Sequence, residues 1–276
     1  QRSKTLFVTP PGGTDFMNHA ASDALSQIKR GALEPPPVTL LRQGSLFLDF
    51  DGTLVEFASR PDGVAVDERL RALIARLGSV MHGRMAVVSG RPADTIAEYL
   101  GDGFAISGSH GLEMRWPDGR RSAPDRPDGL LKAIERLHEV ADAHDGVLIE
   151  EKPFGVGVHY REAQDADTET ALRDIAERLA RETAMQLQTG KKVFELRAAG
   201  ADKGEAIAAF MQGAPFAGHE PVFLGDDETD EHGFAVVREM NGAGILVGEA
   251  RETAARYHLS GVGATLDWLE AAIEAV

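Results

Sequence analysis

From residue 45 onward, short apolar runs alternate with amphipathic segments, and this alternation constrains the fold more than any other feature of the chain. Alternating strands and helices are typical of a parallel sheet that is covered by helices. The alternation breaks between residues 112 and 200, where short strands mix with two longer helices, and it resumes at residue 203. We therefore predict an α/β protein with a Rossmann-like parallel-sheet core that is divided by an inserted α+β domain.

These patterns divide the chain into three predicted parts. Residues 1–40 carry clusters of proline and glycine, so we predict a loosely ordered N-terminal arm. Residues 41–111 and 201–276 together form the predicted core domain. Residues 112–200 form the predicted α+β domain, which includes a hairpin turn at 116–119.

Composition narrows the class of function. The 276 residues include 29 basic and 44 acidic side chains, and the net charge of -15 argues against nucleic acid and anionic membranes as partners. No apolar run reaches about 18 residues, so we expect no membrane-spanning helix. Zero cysteines exclude disulfides, thiolate catalysis and cysteine-bound metals, and they fit a cytoplasmic protein, which we expect to be a monomer. Because the charge would repel a phosphorylated substrate, a phosphate site here needs a metal ion or lysines.

Two carboxylates lie two residues apart where the first predicted strand ends, in the string Asp49-Phe50-Asp51-Gly52-Thr53. Alternation along an extended chain can turn Asp49 and Asp51 to the same side while Phe50 turns away. One carboxylate could then attack a substrate while the other moves protons. Taken alone, however, the string fits a capped turn equally well, so a turn and a phosphoryl-transfer site remain alternatives.

Two later segments place a polar group at a strand end and at a helix start. Ser89 and Gly90 follow the second strand, at the sheet edge where ligands bind, and the Gly90 N–H can approach an anion closely. A turn alone would also explain a serine and a glycine. Lys203 follows a suitable N-cap, Asp202, so its cation lies where the helix dipole disfavours it. This position indicates a role such as binding a phosphoryl oxygen, although a solvated lysine is the commoner case.

Four acids occupy five positions in the string Asp226-Asp227-Glu228-Thr229-Asp230, directly after an apolar strand. They would repel one another unless a cation neutralised them. A helix N-terminus, where acids are favoured, explains Glu228 but not Asp226 and Asp227. Hard oxygen ligands of this kind suit Mg²⁺, which accepts one or two carboxylates and keeps several waters.

Taken together and in this order, the four segments resemble the haloacid dehalogenase-like phosphohydrolase superfamily. The resemblance extends from about residue 45 to about residue 269. It implies that Asp49 is the nucleophile and that Asp51 is the general acid/base. It also implies that Ser89 and Lys203 bind the phosphoryl group. The implied ligands of Mg²⁺ are Asp49, Asp226 and the backbone carbonyl of Asp51, with Asp227 and Asp230 in support.

The inserted domain resembles the cap of the trehalose-6-phosphate phosphatase family. This narrower resemblance rests on residues 148–152, 158–161, 190–196 and 225–234. It implies that trehalose 6-phosphate is the substrate and Mg²⁺ the cofactor. The cap residues that would grip the distal glucose are Glu150, Lys152 and Glu195, with Lys191 as an addition. A phosphatase for sucrose 6-phosphate or mannosyl-3-phosphoglycerate, a non-catalytic sugar-phosphate sensor and a phosphotransferase remain alternatives.

Alternation along residues 154–161 independently supports a ligand-facing surface in this domain. The apolar side chains that would share one face and pack are Phe154, Val156, Val158 and Tyr160. The opposite face holds Gly155, Gly157, His159 and Arg161. Its glycines leave room for a ligand beside polar groups. A solvated strand face explains His159 and Arg161 equally well. His110, in an earlier loop, is either structural or close to the substrate.

Overall fold

The computed structural model describes residues 33–57, 63–163 and 165–276. Most of the predicted N-terminal arm therefore lies outside the described residues. A 3-10 turn at Val38–Leu41 buries Leu41 in the core. The indole N–H of Trp268 donates to the Pro36 carbonyl at 3.0 Å, so this stretch packs against the helix near the C-terminus.

The elements follow in chain order. The first group is β1 (Gly44–Leu48), α1 (Glu68–Val80), β2 (Met85–Val88), α2 (Ala93–Leu100), β3 (Ala105–Gly108), β4 (Glu113–Arg115) and β5 (Arg121–Ser122). The second group is α3 (Leu130–Ala141), β6 (Leu148–Lys152), β7 (Gly155–His159), α4 (Ala166–Thr183), β8 (Gln186–Gly190) and β9 (Val193–Arg197). The third group is α5 (Lys203–Met211), β10 (Glu220–Gly225), α6 (Glu231–Glu239), β11 (Ala243–Val247), β12 (Tyr257–Leu259) and α7 (Val262–Ala275).

Two sheets organise these elements. The larger sheet has eight strands in the order β12-β11-β10-β1-β2-β3-β4-β5, and its pairs from β12 to β3 are parallel. The smaller sheet has four strands in the order β6-β7-β9-β8, and all of its pairs are antiparallel. The predicted α/β class is therefore confirmed, since the structure has a parallel-sheet core and a separate antiparallel sheet.

The central strands of the large sheet are apolar because they are covered on both faces. Every residue of β1 and β2 is buried, as expected for parallel strands between helices. The helix α1 begins where the Asp67 carboxylate accepts the Leu70 N–H at 2.8 Å, and it buries one apolar stripe that includes Leu73 and Leu77. Among the described residues, no helix is both long and apolar enough to cross a bilayer.

The small sheet has an apolar core of its own. Val156, Val158 and Tyr160 of the predicted apolar face are buried and pack with residues of α3 and α4. The predicted face is therefore confirmed for these three residues, whereas Phe154 is only partly buried and lies outside this core; the opposite face of β7 carries Gly155, Gly157 and the partly exposed His159. Polar side chains of this sheet consequently concentrate on the face that the two helices do not cover.

The hairpin at 116–119 is present, but it extends the large sheet instead of belonging to the inserted domain. Ser109 and His110 have positive φ angles of 50° and 58°, and they reverse the chain directly after β3. The strand β4 therefore folds back on β3. The predicted start of the insertion at residue 112 thus falls within the large sheet. The sequence pattern also missed β12, since a strand of three residues is too short to show a period.

Candidate active site

Three predicted site residues follow neighbouring strands of the large sheet. Asp49 follows β1, and its backbone N–H donates to the Leu224 carbonyl of β10 at 2.9 Å. Ser89 follows β2, and Asp226 follows β10. Because β10, β1 and β2 are adjacent and parallel, their carboxyl ends meet at one edge of the sheet. The structure therefore brings these residues to one place, as the sequence predicts.

Lys203 is buried between two carboxylates instead of being solvated. It lies in the first turn of α5, which Asp202 caps by accepting the Glu205 N–H at 2.9 Å. Its Nζ donates to Asp49 Oδ1 at 2.7 Å and to Asp230 Oδ1 at 2.6 Å. Burial alone would lower the pKa of Lys203, but these two carboxylates outweigh burial and raise it. The lysine therefore stays charged beside Asp49.

Asp230 holds the loop that carries the acidic string. It is fully buried, and its Oδ2 accepts the backbone N–H groups of Asp226 at 2.9 Å and Asp227 at 3.0 Å. A Cβ at Gly225 would lie 2.4 Å from the Asp230 carboxyl carbon, so glycine is required for this close approach. With its other oxygen on Lys203, Asp230 is already engaged at both oxygens. It therefore shapes the loop while Asp226 remains available.

The carboxylates of Asp49 and Asp226 have the character of a cation site. Oxygen atoms of Asp49, Asp226 and Asp230 lie within 4.8 Å of one another. Within the described ranges, the buried Asp226 Oδ1 has no hydrogen-bond partner. Burial raises the pKa of Asp226 to about 9, with repulsion from Asp49 adding to the rise, and burial raises the pKa of Asp49 to about 7. Lys203 is the counter-charge of Asp49, but Asp226 Oδ1 has no partner among the described residues, and hard oxygen donors placed in this way fit a divalent cation.

Asp51 is held by an arginine that the sequence interpretation did not assign a role. Arg91 Nε and a terminal nitrogen donate to the two Asp51 oxygens at 2.7 and 2.8 Å. The guanidinium carbon also lies 5.6 Å from the centre of the Phe50 ring and 5.8 Å from that of Tyr99. Arg91 follows Ser89 and Gly90 directly, so the strand-end position that indicated those residues could also have indicated Arg91.

Ser89 and Gly90 are enclosed by the loop that follows β3. Ser89 is buried, and its carbonyl accepts the His110 N–H at 3.0 Å. The imidazole of His110 covers Gly90, where a Cβ would lie 2.5 Å from its Cε1 atom. A side chain at position 90 would therefore displace His110.

The uncovered face of the small sheet carries a cluster of four ionisable side chains, which we call the Glu195 cluster: Glu150, Lys152, His159 and Glu195. Lys152 Nζ lies 2.6 Å from Glu195 Oε2 and 3.8 Å from Glu150 Oε2. His159 Nε2 lies 2.9 Å from Glu150 Oε2, so His159 is paired instead of solvated. The structure thus joins the three predicted sugar-binding residues.

The Glu195 cluster lies beside a glycine on the neighbouring strand, and its charges affect one another. Glu150, Gly157 and Glu195 are in register across β6, β7 and β9, and a Cβ at Gly157 would lie 3.6 Å from Glu150 Oε2. Burial alone would raise the pKa of Glu195, but Lys152 and His110 outweigh burial and hold it below its usual range. His110 Nε2 lies 3.8 Å from Glu195 Oε2, which links the Glu195 cluster to the loop over Gly90.

Lys191 is placed differently from the other predicted sugar-binding residues. It lies exposed in the turn between β8 and β9, where its carbonyl accepts the Arg161 Nε–H at 3.4 Å. Its side chain does not join the hydrogen bonds that the described residues form around Glu195. The resemblance implied a role for Lys191, but Lys191 precedes β9, the strand that carries Glu195.

Solved structures share this arrangement of a parallel sheet and a separate antiparallel sheet. A haloacid dehalogenase-like hydrolase from Bacteroides thetaiotaomicron matches with a TM-score of 0.58 at 17% identity, over 82% of this chain and 97% of that one. A trehalose-6-phosphate phosphatase related protein matches with a TM-score of 0.70 at 28% identity, over 82% of this chain and 95% of that one. The fold is that of the haloacid dehalogenase-like hydrolases.

Sequence comparison defines the family within that class. The profile of the trehalose-phosphatase family matches residues 47–262. The trehalose-6-phosphate phosphatase of Escherichia coli strain K12 is 40% identical over 229 residues, which are 81% of this chain and 84% of that protein. The chain therefore belongs to the trehalose-phosphatase family, and it is a phosphoric monoester hydrolase.

Proposed function

We propose that this enzyme hydrolyses trehalose 6-phosphate to trehalose and inorganic phosphate, through an aspartyl phosphate on Asp49 and with Mg²⁺ as cofactor. One observation carries the proposal. The buried Asp49 carboxylate lies 2.7 Å from Lys203 Nζ and close to Asp226, whose Oδ1 is unpartnered among the described residues. Such a site can hold a nucleophilic carboxylate and positive charge next to the same phosphoryl group.

The residues present fit a divalent cation. Asp49, Asp226 and the backbone carbonyl of Asp51 would hold it, because both oxygens of Asp230 are already engaged. Bound there, Mg²⁺ would supply the positive charge that lets an anionic nucleophile and an anionic phosphate approach each other. The net charge of -15 makes this local positive charge necessary.

The protein residues divide the chemistry among them. A carboxylate oxygen of Asp49 forms a bond to phosphorus while the bond from phosphorus to the sugar oxygen breaks, and Asp51 gives its proton to that oxygen. Asp51 then takes a proton from water, whose oxygen attacks phosphorus and releases Asp49. Lys203 Nζ, the Ser89 hydroxyl and the Gly90 N–H donate to phosphoryl oxygens throughout.

The small sheet with α3 and α4 would act as a cap that selects the sugar. Glu150, Lys152 and Glu195 would bind hydroxyl groups of the distal glucose, and Gly157 leaves the space beside them. The 3.8 Å approach of His110 to Glu195 supports this role, since it brings the Glu195 cluster next to the phosphate site. Lys191 would assist from the exposed turn only after that turn moves.

A panel of sugar phosphates, assayed with and without EDTA, tests the proposal. We expect phosphate release from trehalose 6-phosphate to exceed that from glucose 6-phosphate, to stop with EDTA and to return with Mg²⁺. Equal rates on the two esters would contradict the substrate, and activity in EDTA would contradict the cofactor. Preference for sucrose 6-phosphate or mannosyl-3-phosphoglycerate would assign a related phosphatase. Transfer of the phosphoryl group to an added sugar would indicate a phosphotransferase. Absence of turnover on every ester would indicate a sensor.

A further inference from the structure

Arg251 lies in the loop between β11 and β12, 25 residues after Asp226 along the chain. One terminal nitrogen of its guanidinium donates to the Asp227 carbonyl at 2.8 Å and approaches the Asp226 carbonyl at 3.4 Å. The other terminal nitrogen pairs with the Glu231 carboxylate. One side chain thus binds the loop of residues 226–230 and the first turn of α6.

Glu231 completes the attachment of the two loops. Its second carboxylate oxygen accepts the backbone N–H of Ala254 at 2.8 Å. An acid in the first turn of a helix is favoured by the helix dipole alone, but here both oxygens also bind the β11–β12 loop. Arg251 and Glu231 are each about one-quarter exposed, so water competes only partly for these contacts.

The backbone around Asp226 is consequently held from two directions. Asp230 Oδ2 accepts the N–H groups of Asp226 and Asp227 on one side. Arg251 binds the carbonyl groups of the same two residues on the other side. The backbone that carries Asp226 is therefore fixed on both sides. Among the described residues the Asp226 Oδ1 has no hydrogen-bond partner, so this fixed backbone sets the direction in which the carboxylate points.

We propose that Arg251 is a positioning residue of the cation site, which acts by fixing the backbone that aims Asp226. The inference rests on the proposed function, since it assumes that Asp226 binds the cation. Arginine suits this task because its planar fork can bind carbonyl and carboxylate groups at once, whereas lysine offers a single nitrogen. The pairing with Glu231 also offsets the positive charge that would otherwise oppose a cation.

Direct metal binding tests the inference. Mn²⁺ is titrated into the metal-free wild-type protein and into Arg251→Met and Arg251→Lys, and free Mn²⁺ is followed by electron paramagnetic resonance. We expect Arg251→Met to raise the Kd for Mn²⁺ about 10-fold, as outer residues of metal sites commonly do, and Arg251→Lys to raise it less. The KM for trehalose 6-phosphate at saturating metal should not change, since Arg251 does not touch the sugar site.

Arg256→Met is the matched control. Arg256 is an exposed arginine of the same loop, and its guanidinium carbon lies 5.2 Å from the centre of the Tyr257 ring. Its loss should leave the Kd for Mn²⁺ at the wild-type value. An Arg251→Met protein with an unchanged Kd would overturn the inference, even if its melting temperature were lower, because a purely structural contact would affect stability alone.

Two more variants separate this inference from the proposed function. If Asp226→Asn binds Mn²⁺ as the wild type does, the cation site itself is misplaced and both proposals fail. If Asp226→Asn loses binding while Arg251→Met keeps it, only the role of Arg251 fails. Should Arg251→Met not fold, Arg251→Lys keeps the charge but cannot bind Glu231 and the two carbonyl groups at once, and an unchanged Kd in that variant would equally overturn the inference.

Discussion

Arg91 donates to both carboxylate oxygens of Asp51, at 2.7 and 2.8 Å, while its backbone N–H donates to Ser89 Oγ at 3.1 Å. A single residue therefore orients the proposed acid/base and the proposed phosphate-binding serine. Because Arg91 also lies against the rings of Phe50 and Tyr99, its own position is determined by packing. The orientation of Asp51 thus depends on a residue that follows a different strand.

Replacing Arg91 by methionine should impair turnover more than folding. We expect kcat for trehalose 6-phosphate to fall about 100-fold in Arg91→Met, since misplacing a catalytic group by about 1 Å has an effect of that size. Steady-state kinetics measure this, with circular dichroism to verify folding. Arg120→Met is the control, because Arg120 is exposed and pairs with Asp118 in the β4–β5 turn. A wild-type kcat in Arg91→Met would show that Asp51 needs no such orientation.

Gly52 should tolerate no side chain, for a reason that goes beyond its backbone conformation. Its φ is +83°, and a Cβ would lie 2.3 Å from Asp226 Oδ2. Gly119 has a similar φ of +87° but has no atom within 4 Å of the added Cβ. Gly119→Ala should therefore cost only the strain of the left-handed conformation, about 1 to 2 kcal/mol, and keep its activity.

Gly52→Ala should carry the same strain and also displace Asp226. We expect phosphate release to fall about 100-fold, with a raised requirement for Mg²⁺. Urea unfolding and metal-dependent kinetics of the two variants measure the difference. Equal activities in Gly52→Ala and Gly119→Ala would mean that the loop can move away without consequence.

The Glu195 cluster should make stability depend on pH in the acid range. The pKa of folded Glu195 lies below the ordinary glutamate value of 4.5, because Lys152 and His110 outweigh burial. Its contribution is therefore present above pH 4.5 and is lost as the pH falls toward the folded pKa. Glu195→Gln leaves Lys152 with only the Glu150 carboxylate, at 3.8 Å, so we expect the substitution to destabilise the protein by about 3 kcal/mol at neutral pH.

This destabilisation should shrink as the pH falls below 4.5, because the carboxylate of the unfolded wild type then binds a proton that the folded state still excludes. Denaturant unfolding of wild type and Glu195→Gln, at neutral pH and at about pH 3, measures the two differences. Glu270→Gln is the matched control, because Glu270 forms a solvent-exposed ion pair with Arg69. Its loss should change the free energy of unfolding little at either pH. A difference for Glu195→Gln that stayed constant with pH would mean that its ionisation is not what stabilises the fold.

Asp49→Asn should abolish turnover and leave the fold intact. Asparagine is neutral and cannot form the aspartyl phosphate, so we expect phosphate release to fall by at least about 1000-fold. Lys203 keeps its contact with Asp230 at 2.6 Å, so the buried ammonium is not left without a partner. Phosphate-release assays test the loss of turnover, and thermal unfolding tests the intact fold. Near-native, Mg²⁺-dependent phosphate release would show that Asp49 is not the nucleophile.

Strand-end reasoning predicted the centre of the candidate site. Asp49, Ser89 and Asp226 follow β1, β2 and β10, and parallel strands bring their carboxyl ends to one edge whatever the loops do. Lys203 could be predicted because a cation in the first turn of a helix conflicts with the dipole. These predictions depend on local pattern and on one general property of α/β sheets.

Other features depend on distances between remote segments, which a local pattern does not contain. Asp227 and Asp230 have the same predicted supporting role, yet Asp230 is buried against Lys203 while Asp227 is exposed and caps the following 3-10 turn. The same limit applies to the contacts of Arg91 with Asp51 and of Arg251 with the Asp227 carbonyl. Each joins two loops whose spacing is set only when the whole sheet has formed.

The position of β10 between β1 and β11 has a consequence for how the enzyme matures. Gly44 of β1 pairs with Glu220 of β10. During synthesis, β1 therefore leaves the ribosome long before the strand with which it pairs. Until then Asp49 has neither the Leu224 carbonyl nor Lys203 beside it. Such long-range parallel pairing is slow to form. Phosphatase activity should therefore be among the last properties that a newly synthesised chain acquires.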